Sequence, residues 1–144
     1  MMQLRGHSLT RVLLACAIVG LIGAQTSLRA GADTMGTMGK MGKMSSMPTV
    51  AKGILVDQAG MTLYTFSKDT TGTSNCTGKC ADFWPPLLAP SSATASGNFS
   101  IITRSDGMKQ WAYNSKPLYL FSKDTAPGQE NGNGVKGLWA VAKP

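Results

Sequence analysis

Three groups of side chains in this sequence have types and spacings that suit chemistry. Methionine recurs every third residue at Met35, Met38, Met41, Met44 and Met47, within DTMGTMGKMGKMSSMPT (33–49). Thioethers are soft, weak ligands that take Cu(I) or Ag(I) and hardly compete for Zn(II), Mg(II) or Ca(II). A glycine-rich segment can wrap to bring several of them to one ion. The same composition suits a plain spacer whose methionines are incidental or serve as oxidisable decoys. The second group is Cys76 and Cys80 in NCTGKC. An even pair in an exported chain predicts a disulfide. The C-x3-C spacing departs from the C-x-x-C of redox motifs, and two thiols without histidine cannot fill a zinc site. The third group is Asp69 and Asp124, each at the end of a strand-like phrase. Paired carboxylates serve glycoside hydrolysis, but neither has a partner base, so both are read as turn formers. No catalytic residue is assigned, and the chain is read as non-enzymatic. DTTGTSN (69–75) offers alternate oxygens but lacks the acidic density and closing glutamate of a calcium loop.

Charge and composition narrow the classes further. The chain has 144 residues and a net charge of +7, with one histidine, His7. Arg5 and Arg11 precede an apolar run, Val12–Ala24, and small residues at Ala30-Gly31-Ala32 follow it. This is the layout of a secretory signal peptide, expected over 1–32, and the run is short for a bilayer span of about 20 residues. An uncleaved membrane anchor is the alternative. Cys16, in LLAC, resembles a lipidation site, but the apolar run continues well past it, which argues against lipidation. Loss of the leader removes Arg5, Arg11, Arg29 and His7. The remainder then has no Ser–His or Cys–His nucleophile pair and no histidine for zinc or haem. Its lysines and arginines are dispersed rather than clustered, which excludes a nucleic-acid surface. Contact with a membrane would come only through a lipid or the leader.

The elements that must carry these groups are written twice. LYTFSKDT (63–70) returns as LYLFSKDT (118–125), changed only at Thr65/Leu120, and the same offset places Trp84 on Trp139. The turn-like DQAG (57–60) falls on AYNS (112–115). A repeat of this length is one supersecondary unit that buries its apolar face against its copy. Repeat 1 is placed at about 50–90 and repeat 2 at about 99–144, closing into one domain over 50–144 with approximate two-fold symmetry. The patterning predicts an all-β fold, a small antiparallel sheet or barrel-like domain. ILV and MTLYTF form a hairpin over DQAG; FSIITR and MKQWAY pair over SDG; KPLYLF follows the turn NSK; a final strand lies in VKGLWAVAK. Side chains alternate faces on a strand, so Tyr64 and Phe66 oppose Leu63 and Thr65, and Tyr119 and Phe121 oppose Leu118 and Leu120. Trp84 and Trp139 are predicted to be equivalent core residues. Residues 33–49 are expected to be a flexible, disordered tether, since glycine at 36, 39 and 42 weakens any helix. Trp111, Tyr113 and WPPLLAP (84–90) fit either core or an exposed aromatic contact for protein or polysaccharide.

These residues carry a resemblance. Tyr64, Phe66 and Asp69, repeated as Tyr119, Phe121 and Asp124 and followed by a Gly/Cys loop and a tryptophan, resemble the bacterial secreted repeat of unknown function family. Its members are predicted lipoproteins with a conserved Tyr-x4-Asp motif. The resemblance covers about 52–144. It implies an exported bacterial protein of the periplasm or cell envelope, and it implies little about activity. The expectation is a non-enzymatic binding or structural module whose partner is an envelope protein or small ligand. The alternative is a periplasmic Cu(I) or Ag(I) protein acting through the methionine arm.

Overall fold

A computed structural model describes residues 42–144. The expected signal peptide (1–32), Cys16, Met35, Met38 and Met41 lie outside the described residues. The regular structure of the described residues is mostly short strands: β1 (Lys43–Met44), β2 (Thr49–Ala51), β3 (Ile54–Val56), β4 (Tyr64–Phe66), β5 (Leu87–Leu88), β6 (Phe99–Thr103), β7 (Lys109–Tyr113), β8 (Lys116–Pro117) and β9 (Trp139–Val141). One short helix, α1 (Lys79–Phe83), and one 3-10 turn (Val135–Gly137) precede Trp84 and Trp139 respectively. The largest sheet runs β1-β5-β7-β6, with β8 also on β7; β2–β3 and β4–β9 form two-stranded sheets.

Local sequence explains the hairpins. FSIIT pairs with KQWAY from Phe99↔Tyr113 to Thr103↔Lys109. The turn between them closes through Gly107 N–H on the Arg104 carbonyl at 3.0 Å and Met108 N–H on Asp106 Oδ1 at 3.0 Å. Asn114 and Ser115 both take positive φ, 47° and 61°, which makes the two-residue hairpin turn whose twist matches the strands. DQAG also turns, with Gly60 N–H on the Asp57 carbonyl at 2.9 Å, and Leu63 N–H then reaches the Leu55 carbonyl at 3.0 Å. In the second copy Leu118 N–H reaches the Trp111 carbonyl at 2.9 Å. The second turn is therefore one residue shorter than the first.

The two copies meet on a pseudo-two-fold axis. Tyr64 and Tyr119 exchange backbone hydrogen bonds, 2.9 Å one way and 3.0 Å the other. Around them the pairs repeat: Ala142 N–H to Leu63 O at 2.8 Å mirrors Leu87 N–H to Leu118 O at 3.0 Å. Ser67 N–H to Leu138 O at 2.8 Å mirrors Ser122 N–H to Phe83 O at 3.0 Å. Strand alternation then sorts the core into two halves. Leu55, Leu63, Leu87, Trp111, Leu118 and Leu120 fill one. Tyr64, Cys76, Trp84, Tyr119, Phe121 and Trp139 fill the other. The predicted all-β fold and the opposed faces of the doubled phrase are both present.

The start of the domain differs from expectation. Residues 42–49, assigned to the tether, are built into the fold. β1 lies parallel on β5, and the Ser45 carbonyl accepts the Trp111 indole N–H at 2.8 Å. Lys43 Nζ reaches the buried Asp57 carboxylate at 2.7 Å. Gly42 sits where a Cβ would fall 2.1 Å from the Pro86 carbonyl oxygen. Small residues let this low-complexity stretch press onto the sheet edge, and backbone pairing replaces the missing apolar side chains.

Cys76 and Cys80 are joined, with 2.00 Å between the sulfurs. Cys76 is fully buried among the aromatic rings. A loop this short constrains the unfolded chain by about 2 kcal/mol. Reduction is therefore expected to lower the unfolding free energy by that amount without abolishing folding. Denaturant titration with and without reductant measures it, and an unchanged midpoint would mean that the bridge is not formed.

Candidate functional site

The repeated Tyr-x4-Asp motif works by exchange between copies. Each aspartate is set at its strand exit by a backbone bond to the phenylalanine of its own phrase: Asp69 N–H to Phe66 O at 3.1 Å, Asp124 N–H to Phe121 O at 3.0 Å. Each carboxylate is then met by the tyrosine of the other copy. Tyr64 donates to Asp124 Oδ2 at 2.5 Å, and Tyr119 donates to Asp69 Oδ2 at 2.7 Å. The second oxygen of each acid accepts a loop N–H, from Asn131 at 3.0 Å and from Asn75 at 2.7 Å. The expected turn-forming role is thus only half of what these aspartates do, for they also tie one repeat to the other.

The two pairs sit in different surroundings. The Tyr64 hydroxyl also accepts the Gly132 N–H at 3.3 Å. Gly132 is needed there, because a Cβ would meet the Trp84 ring at 2.7 Å. The Tyr119 pair heads a longer chain. Arg104 donates to Ser74 Oγ at 2.6 Å, to Gln110 Oε1 at 2.8 Å and to the Cys76 carbonyl at 3.0 Å. Since a carboxylate only accepts, the Tyr119 hydroxyl donates its one proton to Asp69 and accepts the Ser74 hydroxyl, 2.7 Å away. Sequence reasoning missed Arg104, Ser74 and Gln110. An arginine beside a hairpin turn normally reads as exposed, and nothing in TRSDG marks this one as buried.

Burial raises the Tyr64 phenol far above its ordinary range, and the bond to Asp124 adds to it. Burial likewise raises Tyr119, aided by Asp69 and opposed by the Ser74 bond. Burial also raises the Asp69 carboxyl, against the pull of Asn75 N–H, Tyr119 and Arg104. A raised phenol holds its proton more tightly folded than unfolded. Its stabilisation is present below the unfolded value of about 10 and is lost as pH rises through the folded one. Alkaline titration is therefore expected to ionise Tyr64 and Tyr119 only as the domain unfolds. Phenolate absorbance from two of the three tyrosines should rise together with loss of the β circular-dichroism signal. Ionisation of all three ahead of unfolding would contradict the buried pairs.

Between the copies lies an open groove of about 390 Å³. Thr65, Phe66 and Ser67 leave β4 along one wall, Thr70 and Thr71 continue it, and Asn114–Pro117 and Gly137–Ala140 close the rest. Gly72 N–H on the Ser115 carbonyl at 2.8 Å stitches two of these walls. The half-buried Phe66 ring lies stacked on Trp139, 4.4 Å between centroids. A second cleft, about 460 Å³, runs over Ser74, Asn75, Thr77 and Arg104. The Arg104 guanidinium is occupied by internal bonds and buried, so that cleft offers a ligand no free charge from it.

Met44 and Met47 are exposed, at 58% and 38%. Trp111 and Trp84 are core, while Phe83 stands out at 58% exposure. Among the described residues no three His, Cys, Asp or Glu side chains gather as a metal site, and no helix is long and apolar enough to cross a membrane. A family model described as a secreted repeat of unknown function matches the chain twice, at residues 47–88 and 100–143. No curated protein and no solved structure matches it.

Proposed function

The chain belongs to the family of secreted repeats of unknown function, and from that premise we propose that it is a non-enzymatic binding module of the cell envelope. It holds a polyhydroxylated ligand, a glycan segment, in the groove between its repeats. One observation carries this reading. The groove sets a half-buried aromatic ring, Phe66, within a rim of hydroxyl, amide and ammonium groups from Ser67, Thr70, Thr71, Asn114, Ser115 and Lys116. Apolar area with a few fixed polar groups is the composition of a small-ligand site. One wall is held at its strand exit by the bond from Tyr119 to Asp69. Backbone amide shifts followed during titration with soluble peptidoglycan fragments test the idea. Shifts confined to 65–71 and 114–117, abolished by Thr70→Ala/Lys116→Ala with unchanged thermal stability, are expected. Absence of shifts, or shifts elsewhere, would refute it.

A second reading is Cu(I) or Ag(I) capture by the methionine arm, favoured by the exposure of the Met44 and Met47 side chains. Since 42–49 belongs to the fold, the fair test replaces Met35, Met38, Met41, Met44 and Met47 by leucine rather than deleting the arm. Equal competition of both proteins against a Cu(I) chelator would remove this reading.

A further inference from the structure

The groove is bordered by like charges that the fold leaves without counter-ions. Lys116 belongs to its lining and is exposed. Another wall is the β4–β9 ribbon, whose end closes through Ser67 N–H on the Leu138 carbonyl at 2.8 Å. Beyond that bond the chain continues as Lys68 on one side and as Gly137 and Lys136 on the other. Lys68 stands between two lining residues, Ser67 and Asp69, and Lys136 adjoins a third, Gly137. Both lysines are exposed. Among the described residues the ion pairs are Lys43–Asp57 and Arg104–Asp106, so none of these three lysines has a carboxylate partner. Asp69, the one acid in the lining, has both oxygens occupied, by Asn75 N–H and by the Tyr119 hydroxyl. The duplication supplies a comparison. In the second copy Ser122 N–H on the Phe83 carbonyl closes the matching end, and the chain continues as Lys123 on one side and Asp82 on the other. There a base stands opposite an acid, whereas the groove end gathers two bases.

We infer that the groove selects an acidic glycan, whose anionic groups are met by Lys68, Lys116 and Lys136. The inference rests on the glycan reading above and narrows it to one charge class. Neighbouring ammonium groups repel one another, and an anion set between them relieves that repulsion. A cleft bordered by one sign of charge also concentrates ligands of the other sign and speeds their entry. Three ammonium groups face a single carboxylate that is already hydrogen-bonded, so the balance at the groove is positive. The hydroxyl and amide groups of the rim recognise any sugar, and the lysines add the preference for an acid.

The test compares each of two acidic glycans with its own neutral form on the full chain. Soluble peptidoglycan fragments are used before and after carbodiimide amidation of their carboxyls, and phosphomannan oligosaccharides before and after phosphatase. At least one acidic form is expected to bind about tenfold more tightly than its neutral form, as two exposed ion pairs of ordinary strength would give. The acid that does so, carboxylate or phosphate, is the one the lysines take. Added salt should weaken the acidic form alone. Lys68→Gln/Lys136→Gln should remove the difference between the two forms at unchanged thermal stability. Equal affinity of acidic and neutral forms, with shifts at 65–71 for both, would overturn the charge preference and leave the glycan reading standing. Failure of every form to bind would remove both. If the double variant fails to fold, the comparison of acidic with neutral forms on the unaltered protein decides alone.

Discussion

Truncating either stacked tryptophan, Trp84→Ala or Trp139→Ala, is expected to cost about 4 kcal/mol of folding stability. Trp84 lies between Trp139 at 3.7 Å and Phe121 at 4.2 Å, with the edge of Tyr64 at 5.4 Å. Trp139 has the equivalent set: Phe66 at 4.4 Å on its far face and Tyr119 at 5.2 Å. Each indole is nearly buried, at 5% exposure, so alanine leaves a cavity bounded by rigid rings that cannot collapse into it. A domain of this size has only about 5–15 kcal/mol in total, so either variant should stand close to unfolding at room temperature. Because the two positions are related by the duplication, their losses should be similar, and phenylalanine at either should recover part. Guanidinium unfolding midpoints measure this. A loss below about 1 kcal/mol at one position, within the range of an ordinary surface change, would mean that the rings do not stack as described.

The motif tyrosines and aspartates give the second large effect. Tyr64→Phe keeps the ring and removes the donor from the buried Asp124 carboxylate. A hydrogen bond to a charged group contributes about 1.5–3 kcal/mol, and that loss is expected. Asp124→Ala leaves both the Tyr64 hydroxyl and the Asn131 N–H without their acceptor, for about 3 kcal/mol. Asp69→Ala should cost less. Its carboxylate is only half-buried whereas Asp124 is buried, and it resists burial, as the upward shift of its proton affinity shows. Thermal and denaturant unfolding of the three variants give the order directly. A larger loss at Asp69 than at Asp124 would reverse it.

Much of this fold can be read along the chain, because duplication leaves a constant offset that does not depend on knowing the structure. The offset equates Leu63 with Leu118 and Trp84 with Trp139, and the period of two sorts their neighbours onto opposite faces. Hairpin turns at SDG and NSK and the Cys76–Cys80 pair are equally local. What is not local is hidden. Tyrosine and aspartate lie five residues apart in both copies, so the motif fits pairing within a copy as well as between copies. Only the axis through Tyr64 and Tyr119 selects the second. Arg104 gives no sign of burial, since its partners Ser74 and the Cys76 carbonyl come from a loop far away in sequence. β1 is masked by its own simplicity. Glycine, lysine, methionine and serine read as a spacer, yet Gly42, Lys43 and Ser45 each meet a specific group of the fold, at Pro86, Asp57 and Trp111. The groove, too, is assembled from segments 65–71, 114–117 and 137–140, which no single stretch of sequence announces.

The junction of the two repeats turns on which tyrosine serves which aspartate, and double-mutant cycles ask that question directly. Stability is measured for Tyr64→Phe and Tyr119→Phe, each combined with Asp69→Asn and with Asp124→Asn. Exchange predicts coupling of about 1 kcal/mol or more for Tyr64 with Asp124 and for Tyr119 with Asp69, and additivity for the two pairs inside one repeat. Coupling of Tyr64 with Asp69 and of Tyr119 with Asp124, with additivity across the copies, would contradict it.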